Sequence, residues 1–156
     1  MRLTLIAVGR SKAGPLRDLY DDYASRLAGP PWQGLSLVEV EERRPLEGAE
    51  RRAREASLLL DALPKDAWVV ALDERGRGMD SPAFAQLLSD QADRGTANAV
   101  FLIGGASGFD ESVRQRADRL LSLGAMTWPH MLVRCLLAEQ LFRARSILTG
   151  HPYHRA

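Results

Sequence analysis

The chain has 156 residues with a net charge of +1, 46% apolar and 26% charged residues. These values fit one globular core and argue against disorder; the near-zero charge does not by itself suggest nucleic acid. A single cysteine, Cys135, excludes an internal disulfide and a four-thiolate zinc site.

Arg2 to Val8 is a short apolar run and reads as a first strand. It is too short for a signal peptide, has no small-residue cleavage site and runs at once into Gly9-Arg10-Ser11-Lys12. No apolar stretch has the length to cross a bilayer, so the sequence reads as cytosolic. Pro15 to Ala28 carries Leu16, Leu19, Tyr20, Tyr23 and Leu27 at helical spacing, and Gly29-Pro30-Pro31 stops it. Leu35 to Val40 alternates as a half-buried strand does. Glu47 to Leu63 is a helix with Ala56, Leu59, Leu60 and Leu63 as its apolar stripe and Arg51, Arg52 and Arg54 on a solvated face.

Trp68 to Leu72 is continuously apolar, as a strand buried on both faces of a parallel sheet is. Asp73-Glu74-Arg75-Gly76-Arg77-Gly78 reads as a polar, flexible loop. Ser81-Pro82 signals a helix start, with a capping hydroxyl and then proline, and that helix runs to about Arg94. Ala99 to Ile103 is another buried strand, followed by the glycine-rich turn Gly104-Gly105-Ala106-Ser107-Gly108. Asp110 to Ala117 is a short helix, Leu120 to Leu123 a final strand, Gly124 to Pro129 a loop and His130 to Leu148 the last helix.

Alternating strands and helices predict an α/β fold with a mostly parallel sheet sandwiched by helices. Ligands of such sheets sit at the carboxyl ends of the strands, so the loops after Leu72, Ile103 and Leu123 are the candidate site. The glycine turn lacks the spacing of a dinucleotide fingerprint and the Lys-Ser/Thr ending of a phosphate-binding loop. The last helix is apolar around most of its circumference, which predicts burial. In so small a chain this points to packing against a partner subunit, with burial inside one protomer as the alternative. Within that helix Glu139 and Arg143 stand four apart. They make either a helix-supporting ion pair or a functional pair.

The three histidines, His130, His151 and His154, all fall near the end of the chain. The x-x spacing of the last two and the intervening Pro152 argue against zinc, and no metal is expected. The tail Gly150-His151-Pro152-Tyr153-His154-Arg155 combines stacking, hydrogen-bonding and cationic groups suited to an unstacked base and its phosphate. Of the 21 basic residues only Lys12 and Lys65 are lysine. Arginine suits phosphates and base edges, although a GC-rich genome produces the same bias.

Four segments in order resemble the family of ribosomal RNA large subunit methyltransferases H, of the SPOUT class. They are Phe101-Leu102-Ile103-Gly104-Gly105-Ala106-Ser107-Gly108, Leu121 to His130, Leu137-Ala138-Glu139-Gln140-Leu141-Phe142-Arg143-Ala144 and Pro152-Tyr153-His154-Arg155. The likeness extends to Val8-Gly9-Arg10, Tyr23 to Leu27 and Ala71 to Gly76, covering essentially the whole chain. The resemblance implies a single SPOUT domain over residues 1–156 with a C-terminal trefoil knot, a rare exception to unknotted chains. It also implies S-adenosyl-L-methionine as cofactor, a cytoplasmic homodimer, and a pseudouridine in the helix 69 loop of 23S rRNA as substrate. That base would be methylated at N3 within the assembled 70S ribosome.

Carried over by position, Leu72, Gly104, Gly105, Leu123, Gly124, Ala125, Met126, Thr127 and Trp128 would hold the cofactor. His130, Glu139, Tyr153, His154 and Arg155 would serve the reaction. The chain departs from the family with Gly124 in place of the usual serine, Trp128 in place of an aliphatic residue and Met131 in place of a polar one. The competing readings are a SPOUT enzyme acting on another RNA such as tRNA, a non-catalytic ribosome-associated factor, and a histidine-based metal hydrolase.

Overall fold

The computed structural model describes residues 1–155; Ala156, the last residue of the expected domain, lies outside the described residues. Five strands, β1 (Arg2–Val8), β2 (Leu35–Val40), β3 (Ala67–Arg77), β4 (Asn98–Ile103) and β5 (Arg119–Leu121), form one sheet in the order β2-β1-β4-β3-β5. Every neighbouring pair is parallel. The helices are α1 (Pro15–Ser25), α2 (Gly48–Asp61), α3 (Ser81–Asp93), α4 (Glu111–Arg116) and α5 (His130–Thr149).

The interior strands β1, β3 and β4 are buried on both faces, which explains their unbroken apolar runs. One face, with Leu5, Phe101 and Val70, meets α1, α3 and α5; the other, with Ile6, Val69 and Leu102, meets α2 and α4.

The segment after Leu72, expected to be a flexible loop, is instead the continuation of β3. An irregularity between Leu72 and Arg77 lets both residues pair with Leu121 of β5. Gly76 makes this pairing possible, because a Cβ there would lie 2.6 Å from the backbone carbon of Leu120. Asp118 ties β5 to β3: its amide bonds the Val69 carbonyl at 2.8 Å and its carboxylate accepts from the Val69 amide at 2.7 Å.

Two further expectations are corrected, and the reading of α5 is refined. The cap of α3 is the side chain of Asp80, which accepts from the Ala83 amide; the Ser81 hydroxyl instead donates to Gln140 on α5 at 2.6 Å. Arg51 does not lie on a solvated face, since it reaches inward to the buried Glu55 at 3.1 Å. The apolar circumference of α5 is buried inside the protomer only in part. Both α1 and α3 pack on it above the sheet, burying Cys135, Leu137, Ala138, Leu141, Phe142 and Ala144. Met131, Leu132, Val133, Leu136 and Ile147 stay half-buried and Leu148 is exposed, so the protomer covers most of the stripe and leaves an apolar face open. Leu16 and Leu19 of the neighbouring α1, 40% and 41% exposed, add to that open apolar surface.

Candidate functional site

The carboxyl ends of β3, β4 and β5 and the first turn of α5 enclose a cavity of about 200 Å³. Its walls are built by distinct elements. Leu72 comes from β3, Ile103 from β4 and Gly104 from the turn after it, Leu121 from β5, Ser122 to Gly124 and Met126 to Trp128 from the last loop, and His130 and Val133 from α5. Of the nine positions expected to hold a cofactor, eight line it; Ala125 is exposed on the loop and does not.

Two glycines have specific reasons to be there. A Cβ at Gly104 would meet the ring of the buried Phe109 at 3.2 Å, so the turn after β4 rests on that ring. Gly124 has φ +113°, a conformation in which a side chain is strained. The departure from serine thus goes with a loop shape that glycine alone adopts without cost. Ser122 closes the same loop, accepting from the Gly124 amide at 3.2 Å and donating to its carbonyl at 3.1 Å.

The floor is fixed by a pair that sequence reasoning missed. Arg114 of α4 donates to the buried Asp73 at 2.6 Å and to the Phe109 carbonyl at 3.1 Å, while Asp73 also accepts from the Arg75 amide. The signal was available as an acidic residue at a strand end and arginines in the last turn of a short helix. The fold alone makes them partners.

His130 stands at the amino end of α5. Burial, and then the charge of Arg134, hold its imidazole below the ordinary histidine range, against an opposing pull from Glu55. This environment favours the neutral imidazole, whose free ring nitrogen can accept a hydrogen bond or a proton. Glu55 is buried, and its second oxygen is unpartnered among the described residues, 3.1 Å from where a Cβ of Gly105 would sit. A side chain at 105 would crowd both this carboxylate and the Val8 methyl, also at 3.1 Å, by a few tenths of an ångström.

The remaining candidates gather elsewhere. The Tyr153 hydroxyl donates to Glu139 at 3.0 Å and shares a 3.1 Å hydrogen bond with the hydroxyl of Tyr23. Arg143 donates to Glu139 at 3.0 Å, contacts His154 Nδ1 at 3.3 Å and lies 4.9 Å over the Tyr153 ring. The ring of Phe142 backs Tyr153 edge-on at 4.7 Å. Burial and the bonds to Tyr23 and Glu139 push the Tyr153 phenol up, so it stays protonated and acts as a donor. Arg155 is exposed beside this cluster. Glu139 and Arg143 are thus both an ion pair and the scaffold of the tail. Tyr23, the hydroxyl partner of Tyr153, was legible only as an apolar-stripe residue.

Glu139 is nine residues beyond His130, about 14 Å along a helix rising 1.5 Å per residue. The five expected reaction residues therefore fall into two groups on one protomer, and His130 alone borders the cavity. His151 and His154 follow the far end of α5, so the three histidines do not converge.

The family model described as "Predicted SPOUT methyltransferase" matches residues 1–154. The chain belongs to the SPOUT methyltransferases. Within them it falls in the ribosomal RNA large subunit methyltransferase H family. Proteins carrying that name from Paramagnetospirillum magneticum and Rhodospirillum centenum are 61% and 55% identical to it, over 99% and 100% of both chains respectively. Among solved structures, this SPOUT chain aligns with the ribosomal RNA small subunit methyltransferase E of Neisseria gonorrhoeae, crystallised bound to S-adenosyl methionine. That alignment has TM-score 0.47 and 17% identity, and covers 95% of this chain and 66% of the other.

The lining offers an adenosyl cofactor apolar flanks at Leu72, Ile103 and Val133 and a glycine turn where backbone can come close. Its volume is below the ~300 Å³ at which small-molecule pockets usually begin. Met126 and Trp128, 76% and 41% exposed, form the cavity's open rim.

Proposed function

We propose that the protein is a homodimeric, S-adenosylmethionine-dependent methyltransferase that modifies N3 of a pseudouridine in the helix 69 loop of 23S rRNA, on the assembled 70S ribosome in the cytoplasm. The observation that carries this reading is full-length identity of 61% to a ribosomal RNA large subunit methyltransferase H. It is supported by a cavity lined by eight of the nine positions that the resemblance assigns to the cofactor. In the same reading residues 1–156 form a single domain, and the last segment threads the trefoil knot of the class.

Leu72, Gly104, Gly105 and the Leu123 to Trp128 loop would hold the cofactor, with backbone groups rather than charges as its main polar partners. S-adenosylmethionine supplies an electrophilic methyl carbon, so the protein's task is to align the N3 atom with it. The N3 proton must leave, and the negative charge that develops spreads onto the two flanking carbonyl oxygens. His130, held neutral, serves as base or orienting group at the cavity. His154 has the same chemistry at the tail. Tyr153 orients or stacks on the base, and Arg155 offsets phosphate or the developing charge. Glu139 positions Tyr153 and Arg143 by the bonds described above.

The separation of His130 from Glu139 along α5 supports a composite site, in which the tail of one protomer closes over the cavity of its partner. The uncovered Leu16 and Leu19 beside α5 are the apolar surface such a pairing needs. The test is a methylation assay with labelled cofactor on intact ribosomes, free subunits and naked RNA, with and without pseudouridine at the target. Methylation only of pseudouridine-containing ribosomes is expected; equal activity on tRNA or on unmodified uridine overturns the assignment. Mixing His130→Ala with Glu139→Gln protomers tests the composite site. Activity should return in the mixture to a level neither variant shows alone.

A further inference from the structure

The hydrogen bonds that hold the tail on α5 run in directions that chemistry forces. A guanidinium only donates and a carboxylate only accepts. Glu139 takes the Tyr153 hydroxyl hydrogen at 3.0 Å, Arg143 Nε–H at 3.0 Å and a hydrogen of the Gln140 side-chain amide at 2.8 Å. Tyr153 has one hydroxyl hydrogen and Glu139 holds it, so the 3.1 Å bond runs from Tyr23 to Tyr153. The Tyr153 hydroxyl therefore has no hydrogen left for a substrate.

The two tail histidines are constrained in the same way. Arg143 Nη1 lies 3.3 Å from His154 Nδ1, and this is a hydrogen bond only if that nitrogen is bare. The Tyr153 amide donates to His151 Nδ1 at 3.2 Å, which needs a bare Nδ1 there as well. In a neutral imidazole the partner of one nitrogen decides which of the two carries the proton. Both rings therefore carry it on Nε2, and neither Nε2 has a hydrogen-bond partner among the described residues. His151 is exposed, whereas His154 is half-buried and leans on a fixed neighbour. Glu139 grips Arg143 through both Nε and Nη2, and the guanidinium lies 4.9 Å over the Tyr153 ring. His154 Nε2–H is thus the better-fixed donor of the two.

We propose that His154 is a hydrogen-bond donor in the reaction and not its base, and that Arg143 is the positioning residue that keeps Nδ1 an acceptor and leaves Nε2–H for the substrate. The inference rests on the reading that the target is a uracil-type base methylated at N3, and it narrows the role of His154 within that reading. As the N3 proton leaves, negative charge grows on the two carbonyl oxygens beside N3. A fixed N–H at one of them stabilises that charge without giving up its own proton. The tail offers no bare ring nitrogen for the N3 proton, because both Nδ1 atoms are engaged. Among the histidines only His130 is left to take that proton; otherwise water takes it.

The test joins nitrogen NMR of the free protein to kinetics on ribosomes. In the isotope-labelled chain at about pH 8, where an ordinary imidazole is neutral, His154 should show a bare Nδ1 and a protonated Nε2. Arg143→Leu removes the donor and should move both nitrogens toward the averaged shifts of a mobile ring. His154→Gln places an amide N–H where Nε2–H stands and should keep kcat within about tenfold of the parent, whereas His154→Asn, whose amide reaches only the Nδ1 position, should lose about 10²–10³, as loss of one aimed donor does. Calorimetry should find parental S-adenosylmethionine affinity in all three variants, which shows that they fold. A proton on His154 Nδ1 in the parental chain overturns the proposal, as does a kcat in His154→Gln no higher than in His154→Asn. An Arg143→Leu spectrum identical to the parent would remove Arg143 from the account. A parental chain that does not methylate ribosomes would refute the enzymatic reading instead, and the nitrogen spectrum would still decide the tautomer.

Discussion

Gly76→Ala isolates the contact on which the cavity's third strand depends. The added methyl would sit 2.6 Å from the Leu120 carbonyl carbon, 2.7 Å from its oxygen and 2.7 Å from the Leu121 carbonyl carbon. Ordinary contact begins near 3.4 Å, so β5 must retreat by about 0.8 Å. All three atoms are backbone, and no rotamer change relieves them. Retreat is opposed by the Asp118 bonds to Val69 and by the Ser122 amide, which donates to the Arg77 carbonyl at 3.1 Å. Overpacking of this kind costs about 1–3 kcal/mol, and backbone obstruction on every side places it at the upper end. In a chain of this size that lowers Tm by roughly 6–10 °C. Because Leu121 and the loop after it line the cavity, calorimetry should also show at least a tenfold loss of S-adenosylmethionine affinity. Gly78→Ala is the control: nothing lies nearer than 4.0 Å to its Cβ, and it should be nearly silent in both measurements. A Gly76→Ala protein within about 0.5 kcal/mol of the parent in urea, with unchanged cofactor affinity, would refute the reasoning.

Arg114→Leu leaves the buried Asp73 carboxylate without its counter-charge and should cost about 3–5 kcal/mol by chemical denaturation; a loss under 1 kcal/mol would show that the Arg75 amide suffices. Proton NMR should find His130 titrating below the ordinary 6.5, and Glu55→Gln, which removes the charge opposing that shift, should lower it further; an upward move contradicts the account. Because the folded state depresses this pKa, the unfolded chain takes up the proton first. The group's contribution to stability is complete above pH 6.5 and is lost as pH falls toward the folded value. A chain ending at Gly150 should bind cofactor normally yet fail to methylate ribosomes, since it lacks Tyr153, His154 and Arg155; normal methylation by it would remove the tail from the mechanism. Tyr153→Phe loses both the Glu139 and Tyr23 bonds. It should lower kcat with little change in cofactor affinity.

By itself the sequence determined the element order and the parallel sheet. Those signals are local: apolar runs in β1, β3 and β4, the stop at Gly29-Pro30-Pro31, the turn after Ile103. Motif resemblance likewise placed the cavity, because its lining comes from a few contiguous loops at strand ends. Tertiary structure alone decided the rest, because it depends on what the chain brings together across long separations. Asp73 meets Arg114, Tyr23 meets Tyr153 and Glu39 meets Arg134 only after the sheet forms. The polar run after Leu72 became strand because β5 arrived beside it and Gly76 let the backbones close. The apolar helix α5 reads the same in sequence whether it packs on a partner or on its own chain, and only the positions of α1 and α3 show which of its faces the protomer itself buries. Its rise along the axis then set His130 apart from Glu139, so one short stretch of sequence serves two places in space.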